Sequence, residues 1–136
     1  MPISIFVDTS FVIALINGND QYHNQAQSLS HQFENSPLIT TDAVLLEICN
    51  ALAKDFRQVA IQITEVLRTG KDTEVIEIRT SLFEEGFETY QKYDDKSWGL
   101  VDCISFVVMW QRGLTYALTF DGDFKQACFT VLTEHI

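Results

Sequence analysis

Short apolar runs alternate along the chain with longer stretches in which apolar residues recur at helical spacing. The first run, residues 3–7, is rich in isoleucine and valine and predicts a strand buried on both faces, as in parallel sheets covered by helices. Further strands are predicted at residues 38–40, 73–78, 114–120 and 129–132. Helices are predicted at residues 11–16, 22–33, 43–54, 56–67, 81–93, 100–111 and 124–128. The alternation predicts a single α/β domain over residues 1–136, with a mostly parallel central sheet and helices on both faces.

Several helix starts carry recognisable capping residues. Thr41 and Asp42 precede the helix at residues 43–54 and are suited to cap it. Ser81 and Glu84 have the spacing of a capping box at the start of the helix at residues 81–93. The helix at residues 100–111 is apolar nearly all round, which predicts that it is buried and that its Trp110 belongs to the core.

Charge limits the kinds of partner that the chain can bind. Nine Lys and Arg residues face nineteen Asp and Glu residues, for a net charge of −10. Affinity for nucleic acids usually comes from basic side chains that neutralise phosphates, so a general polyanion-binding surface is excluded. Any nucleic-acid role must therefore depend on a metal ion or on a local patch.

The cysteines and the apolar runs indicate the compartment. Cys49, Cys103 and Cys128 are odd in number, widely spaced and set among apolar residues, which favours reduced core thiols over disulfides or a zinc site. The longest late apolar run, residues 103–110, is too short to span a bilayer, and no basic segment precedes the first run. We expect a soluble, cytoplasmic protein without a membrane partner.

Four acidic residues are predicted to lie at one edge of the sheet. Asp8 and Asp121 each end a predicted strand, Glu47 lies in the second turn of a helix, and Asp102 begins another. Strand ends and the starts of the following helices share one side of a right-handed β-α sheet, so these acids converge although they are far apart in sequence. Taken alone, Asp8 is better explained as the cap of the helix that follows it.

The surroundings of these acids favour a metal site. Glu47 and Asp102 interrupt apolar stretches, where an unpaired carboxylate carries a large desolvation cost, and no Lys or Arg is adjacent to any of the four acids in sequence. An all-oxygen set selects Mg²⁺ or Mn²⁺, ions that suit the hydrolysis of phosphodiesters. Thr9 and Thr119 stand beside two of the acids and are suited to orient water there, although strand propensity explains them equally well.

Four segments together resemble the motifs of PIN-domain ribonucleases, especially the VapC-like toxins of bacterial toxin-antitoxin pairs. These segments are FVDTS at residues 6–10, the Glu47 helix, WGLVDCISF at residues 98–106 and LTFDGDF at residues 118–124. The resemblance covers essentially the whole chain. It implies a parallel sheet with helices on both faces and an Mg²⁺- or Mn²⁺-dependent endoribonuclease. It also implies an RNA substrate, a homodimer and a small antitoxin protein that holds the enzyme inactive.

The resemblance also assigns residues. It implies that Asp8, Glu47, Asp102 and Asp121 are both the catalytic residues and the metal ligands. Asp123 is an additional acid whose role stays open, and its position before residues 124–128 favours a helix cap.

Basic and aromatic residues are the candidates for RNA contact. Residues 54–71 carry more basic than acidic side chains, and Lys54 and Arg57 are candidates there, although a solvated helix face explains them equally well. Trp98 is an open candidate for stacking on a base.

Two other classes of function fit part of the pattern. A phosphotransfer enzyme of the haloacid-dehalogenase kind also ends its first strand in an acid, but it requires a second Asp two residues later, where this chain has Ser10. A catalytically quiet PIN-fold module that only binds another protein is the stronger rival. Metal-dependent cleavage of RNA separates this module from the enzyme.

Overall fold

The computed structural model describes residues 3–132, in which helices connect the strands of a five-stranded sheet. The ends of the predicted domain, residues 1–2 and 133–136, lie outside the described residues. The strands are β1 (Ile5–Val7), β2 (Leu38–Thr41), β3 (Thr73–Ile76), β4 (Tyr116–Leu118) and β5 (Thr130–Val131). The helices are α1 (Thr9–Ile16), α2 (His23–Gln32), α3 (Asp42–Leu52), α4 (Arg57–Thr69), α5 (Thr80–Lys92), α6 (Leu100–Arg112) and α7 (Asp123–Gln126). Within residues 3–132, no helix combines the length and the apolarity needed to cross a bilayer.

The sheet has the order β3-β2-β1-β4-β5, and its strand pairs are all parallel. The central strand is β1, where Phe6 pairs with Ile39 of β2 on one side and with Ala117 of β4 on the other. From β1 the chain moves outward through β2 to β3 and then crosses back to β4. Because such crossovers are right-handed, the helices of the two halves cover opposite faces. The predicted α/β fold is confirmed, with a sheet that is wholly parallel.

An aromatic cluster in the core fixes the two helices nearest the end of the chain against the sheet. The rings of Phe106 in α6 and Phe124 in α7 meet edge to face, with their centroids 4.9 Å apart. The ring of Phe124 in turn packs against that of Phe6 in β1, with the ring centroids 6.1 Å apart. All three side chains are fully buried. This packing determines where the first turn of α6 and the start of α7 lie, and both carry acids.

Some local predictions are wrong. The helix α5 begins at Thr80, one residue before the predicted capping box, and its N-cap residue Arg79 makes no side-chain capping bond. Thr41 does cap α3 by accepting the N–H of Val44 at 3.3 Å, whereas both carboxylate oxygens of Asp42 accept the N–H of Ile78 at 3.2 Å. Asp42 therefore ties the start of α3 to the segment after β3, a tertiary contact that local spacing does not reveal.

Trp110 has a different environment from the one predicted, and Trp98, which the sequence left open as a stacking candidate, is a core residue. Trp98 is buried, and its indole N–H donates to Oε1 of Gln126 at 2.8 Å, so it offers no face to a base. Trp110 lies in the last turn of α6 and is 47% exposed, because its ring covers only the outer side of Phe106 and Phe129. The prediction that Trp110 belongs to the core is therefore wrong.

The cysteines are free, as predicted, but only one of them is a core residue. Cys103 is buried, Cys49 is half-buried and Cys128 is exposed. Cys128 lies in the turn between α7 and β5 with φ of +73°, and it is exposed although its neighbours Ala127 and Phe129 are buried. The apolar neighbours of Cys49 and Cys128 in sequence are therefore a poor guide to the burial of these two thiols.

The contact between α5 and α6 generates a stability prediction. A Cβ atom added at Gly86 would collide with Cγ1 of Ile104 and lie 3.2 Å from its Cα atom. We expect Gly86→Ala to lower the free energy of unfolding by about 1–3 kcal/mol through overpacking. A helix-propensity gain of about 1 kcal/mol for replacing Gly by Ala offsets part of this cost, so the net loss should be at most about 2 kcal/mol.

Urea titration followed by circular dichroism measures the effect. The matched control is Gly18→Ala, since no atom lies within 4 Å of a Cβ built at Gly18 and its φ is not positive. Equal unfolding midpoints for the wild type and Gly86→Ala would contradict this description of the α5–α6 contact.

Candidate active site

Asp8 is a helix cap and a site residue at the same time. It follows β1 directly and caps α1, with Oδ2 accepting the N–H of Ser10 at 3.4 Å. The same oxygen accepts the hydroxyl protons of Ser10 and Thr119, each at 2.8 Å. The backbone N–H of Asp8 donates to Leu118 at 3.1 Å, which extends the pairing of β1 with β4 and brings Thr119 alongside. The carboxylate is buried, so these bonds compensate for its lost hydration.

The two hydroxyls join Asp8 to the segment that follows β4. Thr119 Oγ1 accepts the N–H of Asp121 at 3.0 Å, and Ser10 Oγ accepts the N–H of Phe120 at 2.9 Å. The two hydroxyl oxygens lie 3.1 Å apart. Thr119 therefore supports two acids by direct contact. Ser10 was missed as a site residue, although a hydroxyl two residues after Asp8 is a recognisable local signal.

Three carboxylates converge beside Asp8. Oxygens of Asp102, Asp121 and Asp123 all lie within 4.8 Å of one another. Asp102 lies in the first turn of α6, Asp121 in the loop after β4, and Asp123 is the first residue of α7. Cys103 and Phe124, which follow the first and last of these acids, are fully buried and anchor them.

The prediction that Asp123 caps α7 is wrong. Asp123 is the first helical residue, and Oδ1 of Asp121 accepts its N–H at 2.9 Å. The capping role therefore falls to Asp121, and the carboxylate of Asp123 belongs to the acid cluster. The strand β4 also ends at Leu118, earlier than predicted, so Asp121 lies in a loop and not at the end of the strand.

Burial and mutual repulsion raise the pKa values in the cluster. Burial is the main cause that raises the pKa of Asp102 to about 8, followed by the charges of Asp8 and Asp121 and by a hydrogen bond with Asp123. Burial also raises the pKa of Asp8, although the hydroxyls of Thr119 and Ser10 act in the opposite direction. The pKa of Asp123 is raised by burial and by the charge of Asp121. With a pKa of about 8, Asp102 therefore keeps its proton at neutral pH when no cation is bound.

The cluster fits a hard divalent cation. Three convergent carboxylates form an all-oxygen donor set of the kind that binds Mg²⁺ or Mn²⁺. In residues 3–132 no other group of three or more acidic, cysteine or histidine side chains comes close enough to share one ion. A cation there would replace the proton on Asp102 and neutralise the repulsion that raises its pKa.

Glu47 is not in this group. It is exposed, as is its neighbour Leu46, because α3 turns both side chains away from the core. The expectation that Glu47 is desolvated is therefore wrong. Its Oε1 atom accepts the hydroxyl proton of Thr9 at 2.6 Å, which places Glu47 beside the residue that follows Asp8. Thr9 was predicted to orient water. The structure shows instead that its hydroxyl contacts Glu47 directly and positions that side chain.

The basic candidates lie away from the acids. Lys54 and Arg57 are exposed at the junction of α3 and α4. The helix α3 starts at the edge that carries the acids and is 11 residues long, or about 16 Å, so both basic residues lie at its far end. Arg112, another basic residue, binds both carboxylate oxygens of Glu74, at 3.0 and 2.6 Å.

Comparison with known proteins identifies the family. The PIN domain family model matches residues 5–130. The chain belongs to the PIN-domain family. Two curated relatives, the 23S rRNA-specific endonuclease VapC20 of Mycobacterium tuberculosis strains CDC 1551 / Oshkosh and ATCC 25618 / H37Rv, are each 33% identical over 127 residues, covering 92% of this chain and 95% of theirs. The resemblance seen in the four motifs is confirmed.

Solved structures agree with this PIN fold. The crystal structure of M. tuberculosis VapC20, described as a sarcin-ricin loop cleaving toxin, superposes with a TM-score of 0.82 at 32% identity, covering 93% of this chain and 96% of that one. FitAcB from Neisseria gonorrhoeae has a TM-score of 0.67 at 12% identity, covering 97% of this chain and 99% of its own. At that identity the likeness to FitAcB shows the fold alone.

The raised pKa of Asp102 predicts how stability depends on pH. In chelator, the folded protein keeps protons that the unfolded chain has released between about pH 4 and about pH 8, so the free energy of unfolding should fall as pH rises through this range. The free energy of unfolding of Asp102→Asn should fall less steeply with pH, and this variant should melt at or above the wild-type temperature at pH 8. Millimolar Mn²⁺ should reverse this order, because a hundredfold excess over Kd stabilises the wild type by about 2.7 kcal/mol and the variant loses most of that gain.

Melting curves with EDTA and with Mn²⁺, at about pH 5 and about pH 8, test this prediction. Asp95→Asn is the matched control, because Asp95 is an exposed acid paired with Lys96 at 3.2 Å in the loop before α6. An equal gain from Mn²⁺ in the wild type and in Asp102→Asn would remove Asp102 from the cation site.

The geometry also predicts that Asp121 and Asp123 both contribute to cation binding. Loss of a residue that merely supports a metal ligand typically costs 10–100-fold in affinity, so we expect Asp121→Asn and Asp123→Asn each to weaken Mn²⁺ binding by about tenfold or more. Asp123→Asn should not destabilise the fold in chelator, because Asp123 makes no capping bond and neutralising it relieves repulsion. Calorimetric titration with Mn²⁺ measures the affinities. If Asp123→Asn binds Mn²⁺ with wild-type affinity, Asp123 does not contribute to the cation site.

Proposed function

We propose that this protein is an endoribonuclease that depends on Mg²⁺ or Mn²⁺ and cleaves phosphodiester bonds of RNA. The observation that carries the proposal is the convergence of Asp102, Asp121 and Asp123 within 4.8 Å, beside the buried carboxylate of Asp8. Similarity to an rRNA-specific endonuclease over 92% of the chain supports the same activity. The rival, a quiet binding module, does not require three half-buried acids beside a buried one, an arrangement that raises the pKa of Asp102.

Each residue has a distinct proposed role. Asp102, Asp121 and Asp123 would hold the cation, and Asp8 would add a fixed negative charge whose orientation Ser10 and Thr119 set in advance. A divalent cation at such a site supplies Lewis-acid charge that activates water and stabilises the leaving oxygen. Asp8 cannot rotate freely, because its hydroxyl partners are themselves held by backbone N–H groups.

Glu47 is proposed as a residue at the rim of the site. It is exposed and linked through Thr9 to the residue that follows Asp8. Its contribution to the rate should therefore be smaller than that of Asp102, which lies within the cluster.

The proposed substrate class is ribosomal RNA. The relatives are named for 23S rRNA, and the solved relative is described as cleaving the sarcin-ricin loop. With a net charge of −10, the chain should bind RNA mainly through the cation and through a few local contacts. Lys54 and Arg57 lie beyond the end of α3 that is remote from the acids. Only a long RNA would reach them from the acid cluster, so we propose them as secondary contacts for such an RNA.

We also propose that the protein acts in the cytoplasm as the toxin of a toxin-antitoxin pair, with a small antitoxin partner. An apolar groove of about 480 Å³, lined by side chains that include Val12 of α1, Phe33 just after α2 and Ile63 of α4, offers a surface for that partner. The exposed aromatic row of Phe83, Phe87 and Tyr90 along α5 is the surface that we assign to a homodimer. Large exposed apolar surfaces of this kind typically mark protein contacts.

The cleavage prediction uses a synthetic RNA hairpin with the sarcin-ricin loop sequence. The purified protein should cleave it with Mg²⁺ or Mn²⁺ and not with EDTA. Asp8→Asn and Asp102→Asn should each lower the rate by about a hundredfold or more, because each removes negative charge that would hold the cation against the reacting phosphate. Glu47→Gln should lower it less. Single-turnover gel assays and circular dichroism measure the rates and the folding.

Glu77→Gln is the matched control, since Glu77 is an exposed acid paired with Arg79 at 3.2 Å. Wild-type rates in both aspartate variants would show that the active site lies elsewhere. A wild-type protein that cleaves neither this hairpin nor total RNA would favour the binding module.

A further inference from the structure

We propose that Tyr22 forms a stacking platform for one unpaired base of the RNA, next to the phosphodiester that is cleaved. The inference rests on the proposed ribonuclease function and adds a base-binding subsite to it. It is carried by an aromatic stack that starts in the core and ends at the surface beside the acid cluster.

The stack contains three rings. Phe11 of α1 is buried, and its ring centroid lies 6.1 Å from that of Phe120 at an interplanar angle of 19°. Phe120 is half-buried and carries the ring of Tyr22 on it, with the centroids 4.5 Å apart and the planes within 4° of parallel. Tyr22 is thus held from beneath by a ring that is itself anchored in the core.

The outer side of this stack is available. Tyr22 is 38% exposed, and Phe120 lies on only one face of its ring, so this contact leaves the opposite face uncovered. Its backbone is also fixed, because its N–H donates to Oδ1 of Asp20 at 2.9 Å and its carbonyl accepts the N–H of Ala26 at 2.8 Å. A flat, rigid and partly exposed aromatic face is the feature on which nucleobases stack.

The platform adjoins the site. Phe120 immediately precedes Asp121, so their Cα atoms are about 3.8 Å apart. The N–H of Phe120 donates to the hydroxyl of Ser10 that also binds Asp8. A base on Tyr22 would therefore lie near a phosphate held at the acid cluster, which is the arrangement expected when one nucleotide spans both.

Charge favours a base as the occupant. The chain carries a net charge of −10, and the acid cluster repels phosphates that the cation does not neutralise. Stacking on an aromatic ring needs no basic side chain and is available to the splayed bases of single-stranded loops. It therefore supplies affinity at the point where the electrostatics of this protein are least favourable.

The test is a double-mutant cycle that combines variants of Tyr22 with variants of the RNA substrate. Tyr22→Leu keeps an apolar cover on Phe120 and removes the aromatic face, and Tyr22→Trp restores a face. Each protein cleaves hairpins in which single loop nucleotides are replaced in turn by abasic ones. We expect Tyr22→Leu to lower kcat/KM for the intact hairpin by roughly five- to a hundredfold, and Tyr22→Trp to retain it. At one loop position, the abasic substrate should lower wild-type cleavage and have no further effect in Tyr22→Leu.

The matched control is Trp110→Leu, because Trp110 is a 47% exposed aromatic residue in the last turn of α6 whose ring lies against Phe106 and Phe129. It should keep both the wild-type rate and the wild-type response to abasic substrates. Unchanged Mn²⁺ affinity in Tyr22→Leu would show that the cation site is intact. Tyr22→Leu with wild-type cleavage of every hairpin would overturn the inference and leave the ribonuclease function standing.

A binding assay decides the inference separately from cleavage. An RNA with 2-aminopurine in the loop should lose fluorescence on binding to the wild type in Mn²⁺, read by stopped flow before any cleavage, because the base analogue stacks, and should not lose it with Tyr22→Leu. If no RNA is cleaved, the proposed function fails, and this assay still tests the platform. Equal quenching by the wild type and Tyr22→Leu, with or without cleavage, would overturn it.

Discussion

The site depends on the buried carboxylate of Asp8 and on the two hydroxyls that hold it. An ion removed from water costs several kcal/mol unless hydrogen bonds compensate for the loss. Ser10 and Thr119 provide these bonds, and each hydroxyl also accepts a backbone N–H from the segment that leads to Asp121. The contacts that make the burial of Asp8 tolerable therefore also determine where Asp121 lies, so one network positions acids that follow two different strands of the sheet.

The rest of the cluster is held against its own repulsion by the core. Asp102 and Asp123 each precede a fully buried residue, and the edge-to-face contact between Phe106 and Phe124 fixes the helices that carry them. Apolar burial stabilises this arrangement, whereas the raised pKa of Asp102 shows that the acids oppose it. Sites that bind a cation commonly trade stability for function in this way. The fold tolerates the cluster because Asp102 and Asp123 are each adjacent to a residue that is fully buried in the core.

Topology made much of the site predictable from the sequence, and tertiary packing hid the rest. Asp8, Asp102 and Asp121 follow a strand or begin a helix, and in a parallel sheet those positions share one edge whatever the details of packing. The exposure of Glu47 depends on how α3 is rotated against its neighbours, which an apolar run does not specify. The place of Asp123 depended on a shift of one residue at the start of α7, and element boundaries are the least reliable part of such predictions.

The most direct test of the proposed cation site is a crystal of the protein soaked in Mn²⁺, with diffraction data recorded near the manganese absorption edge. We expect an anomalous peak within bonding distance of carboxylate oxygens of Asp102, Asp121 and Asp123, with Asp8 still bonded to the hydroxyls of Ser10 and Thr119. A manganese peak at exposed acids elsewhere, or none at this cluster in crystals that hold the ion at millimolar concentration, would contradict it.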